Sequence, residues 1–122
     1  MKPVALSIAG SDPSGGAGIQ ADLKTFHQFG VYGEAVVTLL TVQNTAEVSD
    51  VLTLDPGFVA AQARAVLADI PPHAIKTGAL GNADIIRAVA SLLANSRLPL
   101  VVDPVMISKH GASLLATDAR ET

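Results

Sequence analysis

The feature that most constrains this chain is a glycine-rich stretch at residues 10–22, GSDPSGGAGIQAD, which follows an apolar run at residues 4–9. Glycine has no Cβ, so the stretch can adopt left-handed backbone conformations and lets a ligand approach the backbone closely. The first turn of a helix also offers unpaired N–H groups to an acceptor. The sequence therefore predicts a strand, a glycine loop and a helix around a small-molecule site. In the helix, Ile19, Leu23, Phe26 and Phe29 fall at helical spacing, and Gly30 is its stop.

Two well-known glycine motifs do not fit this stretch. No Gly-Lys-Ser/Thr follows the glycines, as a Walker A loop requires to hold a phosphate and its magnesium ion. Gly16 and Gly18 form a Gly-x-Gly core, but position 21 is alanine, and no acidic residue ends a second strand where a dinucleotide ribose needs it. A tight turn without a ligand therefore stays open as the structural alternative.

Composition excludes several classes of function. The 122 residues predict one domain, and 49% of them are hydrophobic with only three Phe, one Tyr and no Trp, so the core is aliphatic, as suits helices on a parallel sheet. A net charge of −3 without a basic run argues against nucleic acid and against an anionic membrane surface as partners. The absence of cysteine excludes disulfides, thiolate metal sites and a cysteine nucleophile in this chain. The N-terminal apolar run leads directly into the glycine loop, so we expect core rather than a signal peptide, and a cytoplasmic protein.

Predicted strands and helices alternate along the chain. Strands are expected at residues 35–42, 74–77 and 98–103, the last as a fourth core strand, while residues 46–54 fit either a short edge strand or a movable flap. Asp55 with Pro56, and later Asn82, are helix starts. The alternation predicts a parallel sheet with helices on both faces. The buried stripes are Val59, Ala63, Val66, Leu67 and Ile70 in one helix and Ile85, Ile86, Val89, Leu92 and Leu93 in the next.

Polar or glycine-rich residues follow every predicted strand. Ligands of open parallel sheets bind outside the carboxyl ends of the strands, so we expect residues 10–12, 41–44, 76–79 and 103–105 to form one rim. Gln43 is the most suggestive member, because its carboxamide offers a donor and an acceptor side by side, which match the ring nitrogen and amino group of an aminopyrimidine. A brace for the next loop is its structural alternative.

Acidic and basic residues near this rim have two interpretations each. Asp22 either contacts a ligand or interacts with the helix dipole, and Asp12 either binds or forms an Asx turn. Asp103 suits a magnesium ion held through water beside a phosphate, or else it is a loop cap. Lys76 could meet a phosphate, and so could Lys109, although a lone loop lysine is usually solvated. Three histidines lack metal-ligand spacing, and of these His110 lies in a candidate site loop, His27 on a helix surface and His73 at a strand start.

Residues 9–26, AGSDPSGGAGIQADLKTF, closely resemble the bacterial hydroxymethylpyrimidine/phosphomethylpyrimidine kinases of thiamin biosynthesis, which belong to the ribokinase-like superfamily. Residues 43–45, 76–78 and 102–106, and Lys109 with Gly111, resemble later blocks of that family in the same order. The resemblance implies a ribokinase-like, Rossmann-like α/β fold. It also implies ATP-dependent phosphorylation of the pyrimidine's hydroxymethyl group and then of its monophosphate, with Mg²⁺.

Carried over by position, Gln43 resembles the family's pyrimidine-reading glutamine. Its neighbours in the pocket are implied to be Asp22, Gly10, Ala17 and Val105. Two positions depart from the family pattern, because methionine often stands at Ala79 against the ring and a small residue is usual at His110.

The resemblance implies that the family's anion hole, catalytic base and most ATP contacts lie beyond Thr122, so no catalytic residue is assigned in this chain. Asp118 followed by Glu121 reads as the opening of a helix that does not continue. We therefore expect residues 1–122 to be one α/β unit, the N-terminal portion of a larger kinase domain, inactive alone and prone to form homo-oligomers through its uncovered sheet edge.

Three other functions stay open at this point. The first is a pyridoxal kinase, which binds a larger pyridine with a phenolic oxygen. The second is a non-catalytic pyrimidine-binding module. The third is a structural domain in which the glycine loop is only a turn.

Overall fold

The computed structural model describes residues 2–105 of the chain. Within them, five strands form one sheet in the order β3-β2-β1-β4-β5. β1, β2, β4 and β5 are parallel where they pair, and β3 runs antiparallel to β2. The strands are β1 (Val4–Ser11), β2 (Tyr32–Gln43), β3 (Val48–Thr53), β4 (Ala74–Thr77) and β5 (Leu100–Val102), and the helices are α1 (Gly18–Gln28), α2 (Pro56–Asp69) and α3 (Ala83–Leu93).

The main core lies between the sheet and the helices α2 and α3. Leu6 and Ile8 of β1 and Val36 of β2 are fully or almost fully buried, because alternate residues of a strand point to the same face. The remaining buried members of this core are Ile75 of β4, Val59 and Ala63 of α2, and Ile85 and Val89 of α3.

Helix α1 covers the opposite face of β1 and β2. A Cβ at Gly33 of β2 would lie 2.8 Å from Leu23 and 3.1 Å from Phe26, so glycine is what lets this helix approach the strand closely. Gly30 ends α1 with φ +71°, its N–H bonded to the carbonyl of His27 and the next N–H to that of Phe26, which is a Schellman motif. The expected α/β fold with helices on both faces is confirmed.

Most predicted elements are confirmed, and the exceptions lie at helix ends and sheet edges. Residues 46–54 contain the edge strand β3, which confirms the edge-strand interpretation and adds one antiparallel strand to the predicted parallel sheet. Ile70, expected in the buried stripe of α2, is 40% exposed, and Phe29, expected at helical spacing in α1, is 78% exposed, because each follows the last helical residue as a C-cap. Asn82 caps α3 by accepting the N–H of Ile85, whereas Asp55, at the predicted cap of α2, makes no side-chain capping bond.

Strand β5 is not the core strand that its apolar sequence predicts. Its three side chains are 47%, 65% and 61% exposed for Leu100, Val101 and Val102, and it pairs only with β4 among the residues described. The expected helix at residues 118–121 lies outside the described part of the chain.

The outer edge of β2 is completed partly by a side chain. Gln62 of α2 donates through Nε2 to the carbonyl of Val37 at 2.9 Å, and its Oε1 accepts the N–H of the same residue at 3.0 Å. The pairing with β3 begins only at Leu39. The carboxamide therefore satisfies the backbone of Val37 in the way that a neighbouring strand does.

Glu34 of β2 is a half-buried carboxyl group beside this core. Its Oε1 is buried and lacks a hydrogen-bond partner among the residues described. Burial raises the pKa of Glu34, and the negative charge of Asp69 at the end of α2 adds to that rise. Because the raised pKa belongs to the folded state, protonated Glu34 contributes to the free energy of unfolding at low pH. This contribution is lost as the pH rises through the pKa of Glu34 in the folded state.

We predict that Glu34→Gln raises the free energy of unfolding at neutral pH by about 1 kcal/mol, because it removes a charge buried without a partner. The gain should disappear below pH 4.5, the ordinary pKa of this group, where wild-type Glu34 is itself protonated. Urea unfolding at both pH values measures the difference. The exposed Glu47→Gln serves as a control, and an equal gain in both variants would contradict the prediction.

Candidate functional site

The glycine loop holds the end of β1 against the beginning of α1. Gly18, the first residue of α1, has φ +61°, and a Cβ there would lie only 2.3 Å from the carbonyl oxygen of Gly10. Ser11 and Gly18 also form an isolated antiparallel bridge. No larger residue could occupy position 18 without separating strand and helix, so the predicted turn is confirmed and its geometry requires glycine here.

Asp12 organises the loop from inside. It is 4% exposed, and its carboxylate accepts hydrogen bonds from the N–H and the hydroxyl of Ser14, at 2.9 and 2.6 Å, and from the N–H of Gly16 at 3.1 Å. Burial by itself would raise the pKa of Asp12, but the bonds from Ser14, Ala17 and Gly16 outweigh it and hold the pKa below its ordinary value. The Asx-turn interpretation of Asp12 is confirmed.

Gln20 ties the loop to the first turn of α1, a role that the sequence analysis missed. Its Oε1 accepts the N–H of Asp12 at 2.9 Å, and its Nε2 donates to the hydroxyl of Ser11 at 2.7 Å. Its position on the first turn, directly after the glycines, was the available signal, because a long amide there can reach back over the loop.

A pocket of about 290 Å³ opens at the carboxyl ends of the parallel strands. The six residues predicted to bind substrate and the predicted magnesium residue all line it: Gly10, Ala17, Asp22, Gln43, Ala79, Val105 and Asp103. The structure thus brings together the residues that the rim argument and the resemblance selected. Further lining residues include Leu39, Thr41, Lys76 and Gly78.

Asp22 and Lys76 form an ion pair in the wall of the pocket. Lys76 Nζ donates to Asp22 Oδ2 at 2.7 Å, and the fully buried hydroxyl of Ser7 donates to the same oxygen at 2.6 Å. Among the residues described, nothing donates to Asp22 Oδ1. The carboxylate is therefore fixed through one oxygen and can offer the other to a ligand. The sequence analysis did not predict that Asp22 and Lys76 pair with each other.

The opposite wall carries Gln43, the last residue of β2. Its side chain contacts the hydroxyl of Thr41 at 3.1 Å, and it makes no other side-chain hydrogen bond within residues 2–105. Since Thr41 and Gln43 lie two residues apart, they point to the same side of the strand. Gln43 thus keeps most of its hydrogen-bonding capacity available to the pocket.

Glycines let the strand ends beside the pocket pack closely against their neighbours. A Cβ at Gly10 would meet Leu39 Cδ1 at 2.6 Å, and a Cβ at Gly78 would meet Ala9 Cβ at 2.9 Å and Lys76 Nζ at 3.0 Å. Thr38 donates to the carbonyl of Ala79 at 2.6 Å and fixes this wall.

Other candidates lie away from this pocket. His73 Nδ1 accepts the N–H of Val4, which is a structural role, and His27 is exposed on α1. Lys109 and His110 lie outside the described residues.

Within residues 2–105, no cluster of three or more His, Cys, Asp or Glu side chains could hold a metal ion. None of the helices in this part of the chain has the length and hydropathy to cross a membrane.

A family model described as phosphomethylpyrimidine kinase matches residues 12–122. The chain belongs to the phosphomethylpyrimidine kinase family. Among curated members of the family, the hydroxymethylpyrimidine/phosphomethylpyrimidine kinase of Synechococcus elongatus is 52% identical over 113 residues, which are 93% of this chain and 43% of that relative. A crystal structure of phosphomethylpyrimidine kinase from Clostridium difficile 630 is 50% identical, with a TM-score of 0.88 over 98% of this chain and 52% of that one.

The chain is also similar, at lower identity, to the solved structure of a kinase named for a different substrate. Pyridoxal kinase from Staphylococcus aureus, solved in complex with AMP-PCP and pyridoxal, is 41% identical with a TM-score of 0.77, over 87% of this chain and 40% of that chain. The family assignment and the ribokinase-like fold expected from the sequence are confirmed. The chain spans about half the length of the phosphomethylpyrimidine kinases that it matches.

We predict that Asp12→Asn lowers the free energy of unfolding at neutral pH by about 1 to 3 kcal/mol, because an amide cannot accept all three of the bonds that the buried carboxylate accepts. The lowered pKa of Asp12 belongs to the folded state, so the carboxylate contributes to the free energy of unfolding down to acid pH. This contribution is lost as the pH falls through the pKa of folded Asp12. The difference between wild type and variant should shrink over that range in urea titrations. The exposed Asp50→Asn is the control, and an equal loss in it would count against the prediction.

Proposed function

We propose that the whole protein phosphorylates 4-amino-5-hydroxymethyl-2-methylpyrimidine and then its monophosphate, with ATP as the phosphoryl donor. The observation that carries this proposal is the convergence of Gln43 and Asp22 on one pocket of about 290 Å³, in a chain of the phosphomethylpyrimidine kinase family. The carboxamide of Gln43 pairs with the ring nitrogen and the amino group. The oxygen of Asp22 that has no donor among the described residues accepts from a hydroxyl or amino hydrogen.

The pocket walls position the ring between these two polar groups. Gly10 and Ala17 leave space for a flat heterocycle close to the backbone, and Val105 and Ala79 supply apolar contacts. The ion pair with Lys76 and the bond from Ser7 hold Asp22 at its position before a ligand arrives. Such preorganisation reduces the entropy lost when substrate binds.

Asp103 is the residue of the pocket best suited to a magnesium ion. Asp12 and Asp22 are occupied by loop and lysine hydrogen bonds, which leaves Asp103 as the exposed carboxylate of the lining. A single carboxylate fits Mg²⁺, which keeps several waters and takes its other ligands from substrate phosphates. When bound, the ion would neutralise charge on the transferring phosphoryl group.

We propose that a polypeptide of these 122 residues alone binds the pyrimidine but transfers phosphate poorly. The pocket described here accounts for substrate recognition, and the relatives have about as much chain again outside the matched region. Phosphoryl transfer depends on charge stabilisation at the transferring group, so a site without an anion hole is slower by orders of magnitude.

A pyridoxal kinase activity is the second candidate. The similarity to pyridoxal kinase from Staphylococcus aureus favours it, but the identity of 41% is lower than the 50% shared with the phosphomethylpyrimidine kinase from Clostridium difficile. The two substrates differ at the atoms that Gln43 would contact. When their methyl and hydroxymethyl groups are superposed, pyridoxal has a formyl group at the position of the amino group and a carbon with a phenolic oxygen at the position of the adjacent ring nitrogen.

We predict that the chain binds the aminopyrimidine in isothermal titration and that Gln43→Ala weakens this binding by about 10- to 100-fold, the loss of two hydrogen bonds. Gln28→Ala, at the exposed far end of α1, is the matched control and should bind like wild type. With ATP and Mg²⁺ added, the 122-residue polypeptide should show little turnover. Wild-type protein that binds no aminopyrimidine would overturn the proposed function, and turnover at ordinary kinase rates would overturn only the role proposed for the isolated polypeptide.

We also propose that the chain self-associates. Within residues 2–105, strand β5 pairs only with β4 and its apolar side chains are exposed, which supports this because an unpaired strand edge is a template for pairing with a second copy. Sedimentation velocity should show dimers or larger species, and Val101→Lys, which places a charge on this strand, should shift the distribution toward monomer. A wild-type monomer at all concentrations would contradict the proposal.

A further inference from the structure

The hydroxyl of Thr41 lies between two groups that both look like acceptors. Its Oγ1 is 2.9 Å from the carbonyl oxygen of Ser11 and 3.1 Å from the atom assigned as Oε1 of Gln43. A threonine hydroxyl has one proton to donate and two lone pairs with which to accept. Thr41 can therefore donate to only one of these two oxygens at a time.

The carbonyl of Ser11 and the carboxamide of Gln43 differ in whether they can present a donor to Thr41. A backbone carbonyl can only accept, whereas a carboxamide exchanges its oxygen and nitrogen by a half-turn about its last torsion angle. If the hydroxyl donates to Ser11, which is the shorter contact, Gln43 satisfies the remaining contact by turning its NH₂ toward Thr41. That arrangement satisfies all three groups with one hydroxyl proton.

We infer that Thr41 orients the carboxamide of Gln43 and thereby determines which substrate the pocket selects. In this arrangement the hydrogen bonds run from Gln43 Nε2 to Thr41 Oγ1 and from Thr41 Oγ1 to the Ser11 carbonyl. The carbonyl oxygen of Gln43 then points away from Thr41 and is free to accept from a ligand. The second N–H of the amide stays beside that oxygen and can donate to a ring nitrogen.

This orientation suits an aminopyrimidine better than a hydroxypyridine. An aromatic amino group presents only donors in the plane of its ring, so it requires an acceptor opposite it. At the position of this amino group pyridoxal has a formyl group, whose oxygen can only accept, so it gains nothing from the Gln43 oxygen. Its phenolic oxygen lies at the position of the adjacent ring nitrogen and faces the amide N–H instead. The inference rests on the proposed function, because it assigns to Thr41 the preference for amino over phenolic substrates at the same pocket.

The backbone around Thr41 is built to hold this geometry. Strand β1 shifts register opposite β2 between Ala9 and Ser11, and β2 shifts register opposite β3 between Val42 and Gln43. Both irregularities lie beside Ser11, Thr41 and Gln43, the three residues that these hydrogen bonds connect. Such bulges re-aim side chains and are common next to binding sites.

The first test compares Thr41→Val, which removes the hydroxyl at nearly constant shape, with Thr41→Ser, which keeps it. Titration of each protein with the aminopyrimidine and with pyridoxal gives the preference of the pocket. We expect Thr41→Val to weaken aminopyrimidine binding by about 3- to 10-fold, the effect of one hydrogen bond, and to weaken pyridoxal binding less, so that the preference for the aminopyrimidine falls. Thr41→Ser should keep the wild-type preference, and so should Thr53→Val, a control on the exposed edge strand β3.

The second test needs no ligand and reads the orientation directly. The side-chain NH₂ signals of Gln43 in ¹H–¹⁵N spectra should shift in Thr41→Val and stay near their wild-type positions in Thr41→Ser. An unchanged preference, or unchanged Gln43 signals in Thr41→Val, would overturn the inference while leaving the proposed function intact. Wild-type protein that binds neither ligand would overturn the proposed function and the substrate preference together, and the NMR result would still decide the orientation of Gln43.

Discussion

The close approach of Gly18 to the carbonyl of Gly10 is the contact on which the rest of the site depends. It places the first turn of α1 directly on the end of β1, with no side chain between them. Asp22 follows one turn later on α1 and so reaches the buried hydroxyl of Ser7 on β1 and the ammonium group of Lys76 on β4. One backbone contact thus sets the position of the charged wall of the pocket.

The sequence predicted the site better than it predicted the edges of the sheet. Strand ends in a parallel sheet meet at one edge, so the polar residues after each strand were bound to lie near one another, and the pocket lining includes Gln43 and Asp103 as expected. The edges depend instead on which neighbours a strand has. The apolar sequence of β5 reads as core, yet its side chains are exposed because no further strand or helix covers them among the residues described.

The pairings between side chains could not be predicted from the sequence. Asp22 and Lys76 are separated by 54 positions, and they meet only because β1 and β4 are neighbours in the sheet order. The sequence indicated that both residues were near the rim but gave no reason to pair them. The orientation of Gln43 is similar, since it depends on a threonine hydroxyl whose second partner is a backbone carbonyl on another strand.

The contact between Gln62 and Val37 has a consequence for how this protein avoids unwanted association. An open strand edge can recruit strands from other molecules. β2 begins at Tyr32 but pairs with β3 only from Leu39 onward, so the stretch before Leu39 has no strand on that side among the residues described. The carboxamide of Gln62 bonds the N–H and the carbonyl of Val37 in this stretch. It does so from helix α2, whose backbone groups are bonded within the helix and cannot pair with another strand. The chain can therefore turn from β3 into α2 without leaving the backbone of Val37 open to pairing with another molecule.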